Sequence, residues 1–167
     1  MKKATNLLAS RGVYLYQIGD IVFHLQQPYL SSLTKDQCLE AVEKVLEKRE
    51  VQYAIFTGVA LDVLAEQGAL PQPLQDIVSR DEPLYGLDEV LAMGITNIYG
   101  TIGITSFGYL DKEKTGVIGQ LNDNKKNKVN TFLDDLIAGI AAAASAKLAH
   151  GAKNNQREKG SKDIDSE

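Results

Sequence analysis

Three acidic segments of the chain adjoin apolar sequence instead of lying within runs of charge. Asp88 and Glu89 lie in YGLDEVLAMGIT, and Asp111 lies in FGYLDKEKTG. Asp134 and Asp135 lie in NTFLDDLIAGI. Carboxylate oxygens are the ligands that Mg²⁺ prefers, together with waters and the phosphate of a substrate. If folding brings the three segments together, they would form a site for one or two such ions.

The chemistry that such a site could perform is the hydrolysis of a phosphate monoester. The ester's negative charge repels nucleophiles, and Mg²⁺ neutralises it, lowers the pKa of a bound water and holds the leaving group. Lys114, three residues after Asp111, would supply a fixed positive charge to the phosphoryl group. An aspartate that is not saturated by metal could orient or deprotonate the water.

The same acids also have a purely structural interpretation. Adjacent acids are common in the first turn of a helix, where they favour the positive end of the helix dipole. Asp134 closely follows an Asn-Thr pair, and Asp88 comes soon after Gly86, so both acidic pairs lie where a helix could begin. Lys114 lies among other charged residues, as in a solvated turn. Spacing alone favours this structural interpretation, because short acidic pairs are weak motifs.

Other residues with chemical potential receive structural interpretations. His24 and His150 are far apart, and we expect each on a surface or at a helix end. Cys38 has no histidine near it in sequence, which favours a core thiol over a nucleophile. Residues 10–12, SRG, could bind an anion but are typical of a turn. Residues 100–103 lack the spacing and the lysine of a phosphate-binding loop.

Composition excludes several classes of protein. The net charge of −4 argues against a protein that coats duplex nucleic acid. One cysteine and two histidines exclude an intramolecular disulfide framework and a usual structural zinc site, so any metal would be held by oxygen. The most apolar stretch, 136–146, is shorter than the roughly 20 residues that span a bilayer. We therefore expect a soluble, cytoplasmic protein with no transmembrane segment.

Apolar periodicity predicts an all-α fold. Thr34 and Gln37 have the spacing of a capping box, and the apolar spacing elsewhere predicts helices over 18–26, after 34, over 51–67, 71–78 and 131–150. The β-branched residues and glycines of 95–105 favour a strand locally, yet we expect a partly helical segment that approaches a neighbour closely. The chain of 167 residues should form a single helical bundle over 1–150, in which other helices surround a central helix rich in small residues. We expect a disordered polar tail over 151–167.

The order of the acidic segments resembles the phosphatidylglycerophosphatase A family, above all its soluble branch of YutG-type or low-temperature-requirement C-type proteins. A DE pair, an LDxxK segment and a DDxxAG segment occur here at 88–89, 110–114 and 134–139. The resemblance covers about residues 50 to 150. It implies an all-helical fold and magnesium-dependent removal of phosphate from phosphatidylglycerophosphate.

Together, the residues and the resemblance give a set of site residues. We expect the catalytic group to be Asp88, Asp111, Lys114 and Asp135, and the Mg²⁺ ligands to be Asp88, Glu89, Asp134 and Asp135. Thr115 stands where membrane members of the family have a proline, and Phe107 or a neighbour stands where they have an arginine. The membrane spans are also missing.

Three functions follow as hypotheses. The first is a Mg²⁺-dependent phosphatase acting on phosphatidylglycerophosphate or on a more soluble phosphomonoester, with transient contact at a membrane surface. The second is a non-catalytic metal-binding module for regulation or association, which the departures at Thr115 and Phe107 suggest. The third is a subunit of a structural homo-oligomer, whose small-residue helices pack between protomers.

Overall fold

A computed structural model describes the backbone of residues 1–123 and 128–162, and the side chains of those residues up to 152. Every regular element in this part of the chain is helical. The helices are α1 (Lys2–Ser10), α2 (Leu15–Gln26), α3 (Lys35–Leu46), α4 (Arg49–Glu66), α5 (Leu74–Arg80), α6 (Leu87–Thr96), a 3₁₀ turn (Asn97–Tyr99), α7 (Thr101–Glu113), α8 (Val117–Asp123) and α9 (Leu133–Lys162). The predicted all-α class is confirmed.

Local sequence signals explain where several helices begin and end. The Thr34 hydroxyl accepts a hydrogen bond from Gln37 N at 3.3 Å, and the Gln37 side chain accepts one from Thr34 N at 2.9 Å. This reciprocal pair satisfies two amides that the first turn of α3 leaves free. After α4, Gly68 adopts φ +66°, a left-handed conformation that glycine reaches without steric cost. The capping box and the predicted stop at Gly68 are both confirmed.

The segment 95–105, whose composition favours a strand, is helical on both sides of a break. α6 ends at Thr96, a 3₁₀ turn follows, and Gly100 with φ +77° leads into α7. A Cβ added at Gly103 would lie 2.9 Å from Thr96 O, so the two helices meet where no side chain fits. Close packing between helices thus overrides the local propensity for strand.

The first half of α9 is the centre of the molecule. All residues from 130 to 146 are buried, and α9 packs against α2, α3, α4, α6, α7 and α8. Residues 141–144 are alanines, which keep good helix propensity while letting neighbouring helices approach. Gly139 allows a close approach to α6, because a Cβ there would lie 2.9 Å from Ala92 O. The predicted central helix with small residues is confirmed.

The part of the chain that the structure describes contains no helix long and apolar enough to cross a membrane. α9 is described as helix to Lys162. The side chains after residue 152 and residues 163–167 lie outside the described part. The disordered tail over 151–167 and the domain boundary at 150 remain predictions.

Candidate functional site

Two aspartates in the first turn of α9 form the buried floor of the candidate site. Because α9 runs through the core, its N-terminal turn is enclosed, and Asp134 and Asp135 are only 6% and 4% exposed. Asp134 Oδ1 accepts a hydrogen bond from Asp135 N at 3.0 Å. The free amides and the dipole of a helix N-terminus favour negative charge there.

Lys114 links this turn to α7. Its backbone adopts φ +47°, an uncommon left-handed conformation for a non-glycine residue, just after the end of α7. The Lys114 Nζ atom lies 2.6 Å from Asp111 Oδ1, 3.1 Å from Asp134 Oδ2 and 3.5 Å from Asp135 Oδ1. One ammonium therefore joins three of the carboxylates that the sequence singled out.

Asp88 and Glu89 begin α6, but only Asp88 is buried. Burial raises the pKa of Asp88, and the charges of Asp81 and Asp111 add to that rise. The negative charge of Asp88 in turn raises the pKa of Asp135, so Asp88 belongs to the same electrostatic cluster. The Glu89 backbone N donates to Asp88 Oδ1 at 3.0 Å, but its side chain is exposed and has no hydrogen bond or ion pair to the cluster among the described residues. Its predicted role as a ligand remains a prediction.

The sequence interpretation missed two acids that act on this cluster. Asp81, in the left-handed conformation after α5, raises the pKa of both Asp88 and Asp134 through its charge. Its surroundings, SRDEP, are typical of an ordinary exposed loop and give no signal. Asp62 is fully buried in α4, and its lone charge within VALDVLA could have identified it. Burial is the largest cause that raises the pKa of Asp62, to about 7.

The cluster carries more negative charge than its own cation balances. Burial, and then the charge of Asp134, raises the pKa of Asp135 to about 8, although Lys114 opposes this shift. Burial likewise raises the pKa of Asp134 to about 6 against the pull of Lys114. Burial alone would lower the pKa of Lys114, but the charge of Asp134 and the hydrogen bond to Asp111 raise it above its ordinary value. A further cation would relieve the remaining repulsion.

The donor chemistry of the cluster fits a hard divalent ion. The donors are carboxylates, which suit Mg²⁺, and the charges of neighbouring acids add to the rise in pKa that burial causes at Asp134 and Asp135. Within residues 1–123 and 128–152, no three acidic, histidine or cysteine side chains are arranged to coordinate one ion together. The Lys114 ammonium lies between three of the carboxylates instead. Asp88, Asp134 and Asp135 would hold an ion only after Lys114 and these carboxylates had moved from this arrangement.

A cavity of about 250 Å³ adjoins the acids. Asp81 and Asp134 line one part of it, and Ser79, Asn130 and Lys128 line others. These side chains are mostly polar, so the cavity suits a small group that forms hydrogen bonds or carries charge. It provides a space for a substrate next to Asp134.

Arg11, in the segment that resembled a turn or an anion site, binds groups of the chain itself. It donates hydrogen bonds to Glu66 at 2.6 and 3.0 Å and to the Val129 carbonyl at 2.8 Å. It also donates to Asn130 Oδ1 at 3.2 Å. Gly12, with φ +87°, forms the expected turn. The guanidinium therefore anchors the chain that leads into α9.

Known proteins are similar to this chain over most of its length. The family model for phosphatidylglycerophosphatase A matches residues 8–150. The uncharacterized protein YutG of Bacillus subtilis is 52% identical, covering 92% of this chain and 93% of that protein. The uncharacterized protein YpjQ of the same organism is 50% identical, covering 95% and 89%.

Solved structures give the same result for the fold. The crystal structure of low temperature requirement C protein from Listeria monocytogenes has a TM-score of 0.88 and 51% identity, covering 91% of this chain and 96% of that one. A protein of unknown function from Bacillus stearothermophilus also has a TM-score of 0.88, with 52% identity and coverage of 90% and 94%. The helical arrangement is thus common to all three chains.

Proposed function

The chain belongs to the phosphatidylglycerophosphatase A family, and on that premise we propose that it is a Mg²⁺-dependent phosphatase that hydrolyses phosphatidylglycerophosphate or a related phosphate monoester. The observation that carries this proposal is the meeting of acids from α7 and α9 around Lys114, with Asp88 of α6 near enough for its charge to raise the pKa of Asp135. Several buried carboxylates beside one ammonium form an environment in which a divalent ion and a phosphate complement each other.

Each residue of the cluster has a role in the proposal. Asp88, Asp134 and Asp135 hold Mg²⁺, which when bound would polarise the phosphate and make a water more acidic. Lys114 directs its ammonium to the phosphoryl oxygens, and Asp111, at 2.6 Å, holds that ammonium in place. A carboxylate that the ion leaves free orients the water or accepts its proton. Glu89 is an outer ligand in this proposal.

The surroundings of Asp88 support an amphiphilic substrate. Leu87 and Val90 are each 55% exposed on α6, and the nearby side chain of Leu84 is fully exposed. These apolar groups border an acid of the cluster, and they could contact the acyl region of a lipid whose phosphate lies at the acids. We propose a cytoplasmic enzyme that meets the membrane surface transiently.

Phosphate release tests the proposal. The purified protein is incubated with phosphatidylglycerophosphate in mixed micelles and, separately, with glycerol 3-phosphate. We expect release in the presence of Mg²⁺, none after chelation with EDTA, and recovery when Mg²⁺ is returned in excess. Faster release from the micelles would support the lipid substrate, and faster release from glycerol 3-phosphate would support a soluble one. No release from either ester with Mg²⁺ or Mn²⁺ would contradict the phosphatase.

A second candidate is a non-catalytic metal-binding module. The observation that favours a non-catalytic role is that three carboxylates within 3.5 Å already engage the Lys114 ammonium, which the phosphatase would need for a phosphoryl group. Phe107 does not add to this case, since it is buried in the hydrophobic core. Clear Mn²⁺ binding by calorimetry, together with no hydrolysis of a broad panel of phosphate esters, would favour the module.

Light scattering would test the predicted homo-oligomer.

A further inference from the structure

We propose that Asp62 is a positioning residue of the candidate site, because its buried carboxylate holds the start of α9 and thereby places Asp134 and Asp135 opposite Lys114. The inference concerns how the site is built, and it rests on the proposed function only for what the site does.

The contacts of Asp62 explain this role. Asp62 Oδ1 accepts a hydrogen bond from Phe132 N at 3.1 Å, and Oδ2 accepts one from Leu133 N at 3.0 Å. Both amides belong to the start of α9, which leaves its first N–H groups without partners inside the helix. The cap therefore comes from another helix, 70 and 71 residues away in sequence. It fixes α9 relative to α4 as well as completing its hydrogen bonds.

The residues that would ordinarily cap α9 are engaged elsewhere. The Thr131 hydroxyl donates to the Val78 carbonyl at 2.7 Å, and the Asn130 amide donates to the Leu121 carbonyl at 3.0 Å. These two hydrogen bonds hold the residues just before α9 against neighbouring segments. Asp62 then supplies both acceptors for the two amides at 132 and 133.

One face of α4 holds this region at three successive levels. Gly58, Asp62 and Glu66 are spaced by four residues and so share a face. Glu66 accepts a hydrogen bond from Val129 N at 2.8 Å, ahead of the two amides bound by Asp62. At the other end, a Cβ on Gly58 would lie 2.7 Å from Leu136 Cδ1, so α9 rests directly on the α4 backbone there.

The held backbone is adjacent to the acids of the site. Asp134 and Asp135 follow Leu133 directly, and their distances to Lys114 Nζ are 3.1 and 3.5 Å. A displacement of about 1 Å at the start of α9 would break these contacts or reorient the carboxylates, and errors of that size are costly in catalytic sites. A carboxylate is needed at position 62, because an amide offers one acceptor and turns a donor toward the second N–H.

The test compares Asp62→Asn with two control variants. Leu8→Ala removes buried apolar contacts from α1 and controls for lost stability, and Asp36→Asn changes an exposed first-turn acid of α3. Each protein is studied below its unfolding temperature by NMR of the Lys114 ammonium without metal, by calorimetry with Mn²⁺, and by phosphate release. We expect Asp62→Asn to shift or lose the ammonium signal and to weaken Mn²⁺ binding by roughly 10- to 100-fold. kcat should fall more than KM changes, and neither control should reproduce these effects.

Three results separate the possibilities. An unchanged ammonium signal and unchanged Mn²⁺ affinity in Asp62→Asn would overturn the positioning role. A shifted ammonium signal and weaker Mn²⁺ binding in Leu8→Ala, at an equal loss of stability, would overturn it too. A wild-type protein that binds Mn²⁺ but releases no phosphate would contradict the proposed phosphatase, while the comparison of variants still decides the role of Asp62. If Asp62→Asn does not fold, the milder Glu66→Gln, which weakens the bond to Val129 N, should shift the ammonium signal in the same direction, and no shift would overturn the inference.

Discussion

The starts of α9 and α6 carry the same sequence feature, two adjacent acids, with different structural outcomes. At α9 both acids are buried, and the pKa values of Asp134 and Asp135 rise to about 6 and about 8. At α6 Asp88 is buried and its pKa is raised, whereas Glu89 is exposed. The identity of the residues and the position within the helix are therefore not enough to decide whether an acid joins the site.

The surroundings of each helix start account for the difference. Side chains are about 100° apart on a helix, so a helix with one open side turns one of two adjacent acids outward. The exposed Leu87 and Val90 mark that open side on α6. α9 has no open side at its start, because Asp62 contacts its backbone from α4 and Lys114 contacts its acids after α7. Enclosure turns the α9 pair into the floor of the site.

The largest effect should come from the enclosed pair. Asp135→Asn keeps the shape of the side chain but removes a carboxylate beside the phosphate, so we expect phosphate release to fall by about 1000-fold, within the range for single residues of a catalytic group. The measurement is kcat at saturating Mg²⁺, with circular dichroism to confirm folding. Activity within tenfold of wild type would show that burial of this pair serves structure alone.

The second largest effect on activity should come from removing the cation that joins the pair to α7. Lys114→Met keeps the length of the aliphatic chain but leaves Asp111, Asp134 and Asp135 without the ammonium they share. We expect kcat/KM to fall by about 100-fold, because a fixed charge near the phosphoryl group is lost. Lys112→Met, at an exposed position of the same helix, is the matched control and should retain activity. Equal kcat/KM values for the two variants would show that Lys114 does not act in the site.

The α6 pair gives the direct test of the comparison. Asp88→Asn should lower activity by about 10- to 100-fold, as expected for a metal ligand or its close neighbour. Glu89→Gln should change activity by less than about threefold, because Glu89 is exposed and in the proposal lies outside the direct ligands of the ion. Steady-state kinetics at several Mg²⁺ concentrations would measure both. A large loss in Glu89→Gln would restore Glu89 as a ligand and make the two helix starts alike.

The buried acids also predict how stability depends on pH. Because the pKa values of Asp134 and Asp135 are raised to about 6 and about 8, the folded chain keeps protons that the unfolded chain releases near pH 4. The free energy of unfolding should therefore fall as pH rises from about 4 to 8. Thermal unfolding in EDTA should show a lower Tm at pH 8 than at pH 5.5, and Asp135→Asn should flatten this slope. A Tm that rises over this range would contradict the raised pKa values of Asp134 and Asp135.

The smallest effect concerns the packing that brings the two helix starts together. Gly139→Ala would place a Cβ 2.9 Å from Ala92 O, so α6 and α9 must separate, at a cost of about 1 to 3 kcal/mol. Gly94→Ala on α6 meets no atom within 4 Å and should stabilise the helix by up to about 1 kcal/mol. Chemical denaturation would measure both. If both substitutions changed the free energy of unfolding in the same direction, the close approach at Gly139 would not determine the stability of this packing.

Much of the fold could be predicted from the sequence, because its signals are local. The capping box at Thr34, the stop at Gly68 and the alanines of α9 each act within a few residues. The helical state of residues 95–105 depends instead on contacts such as Gly103 against Thr96. Those contacts exist only after folding, so propensity alone favoured a strand.

The candidate site could be predicted only in part, for a similar reason. The motifs identified Asp88, Asp111, Lys114 and the α9 pair, which the structure brings together. Asp81 and Asp62 were missed because neither belongs to a motif with the others. Their influence comes from three-dimensional neighbours, and a sequence pattern does not specify which distant backbone amide a carboxylate will meet.

The hydrogen bonds of Arg11 have a consequence for the order of events during folding. This residue near one end of the chain binds Val129 and Asn130, with sequence separations of 118 and 119 residues. Closing so long a loop costs chain entropy, and contacts of this range form late and slow the search for the native state. During synthesis the guanidinium can bind Glu66 first, but Val129 and Asn130 are absent until residue 130 has left the ribosome. The candidate site should therefore form at the end of folding, when the segment around Arg11 docks against residues 129–130.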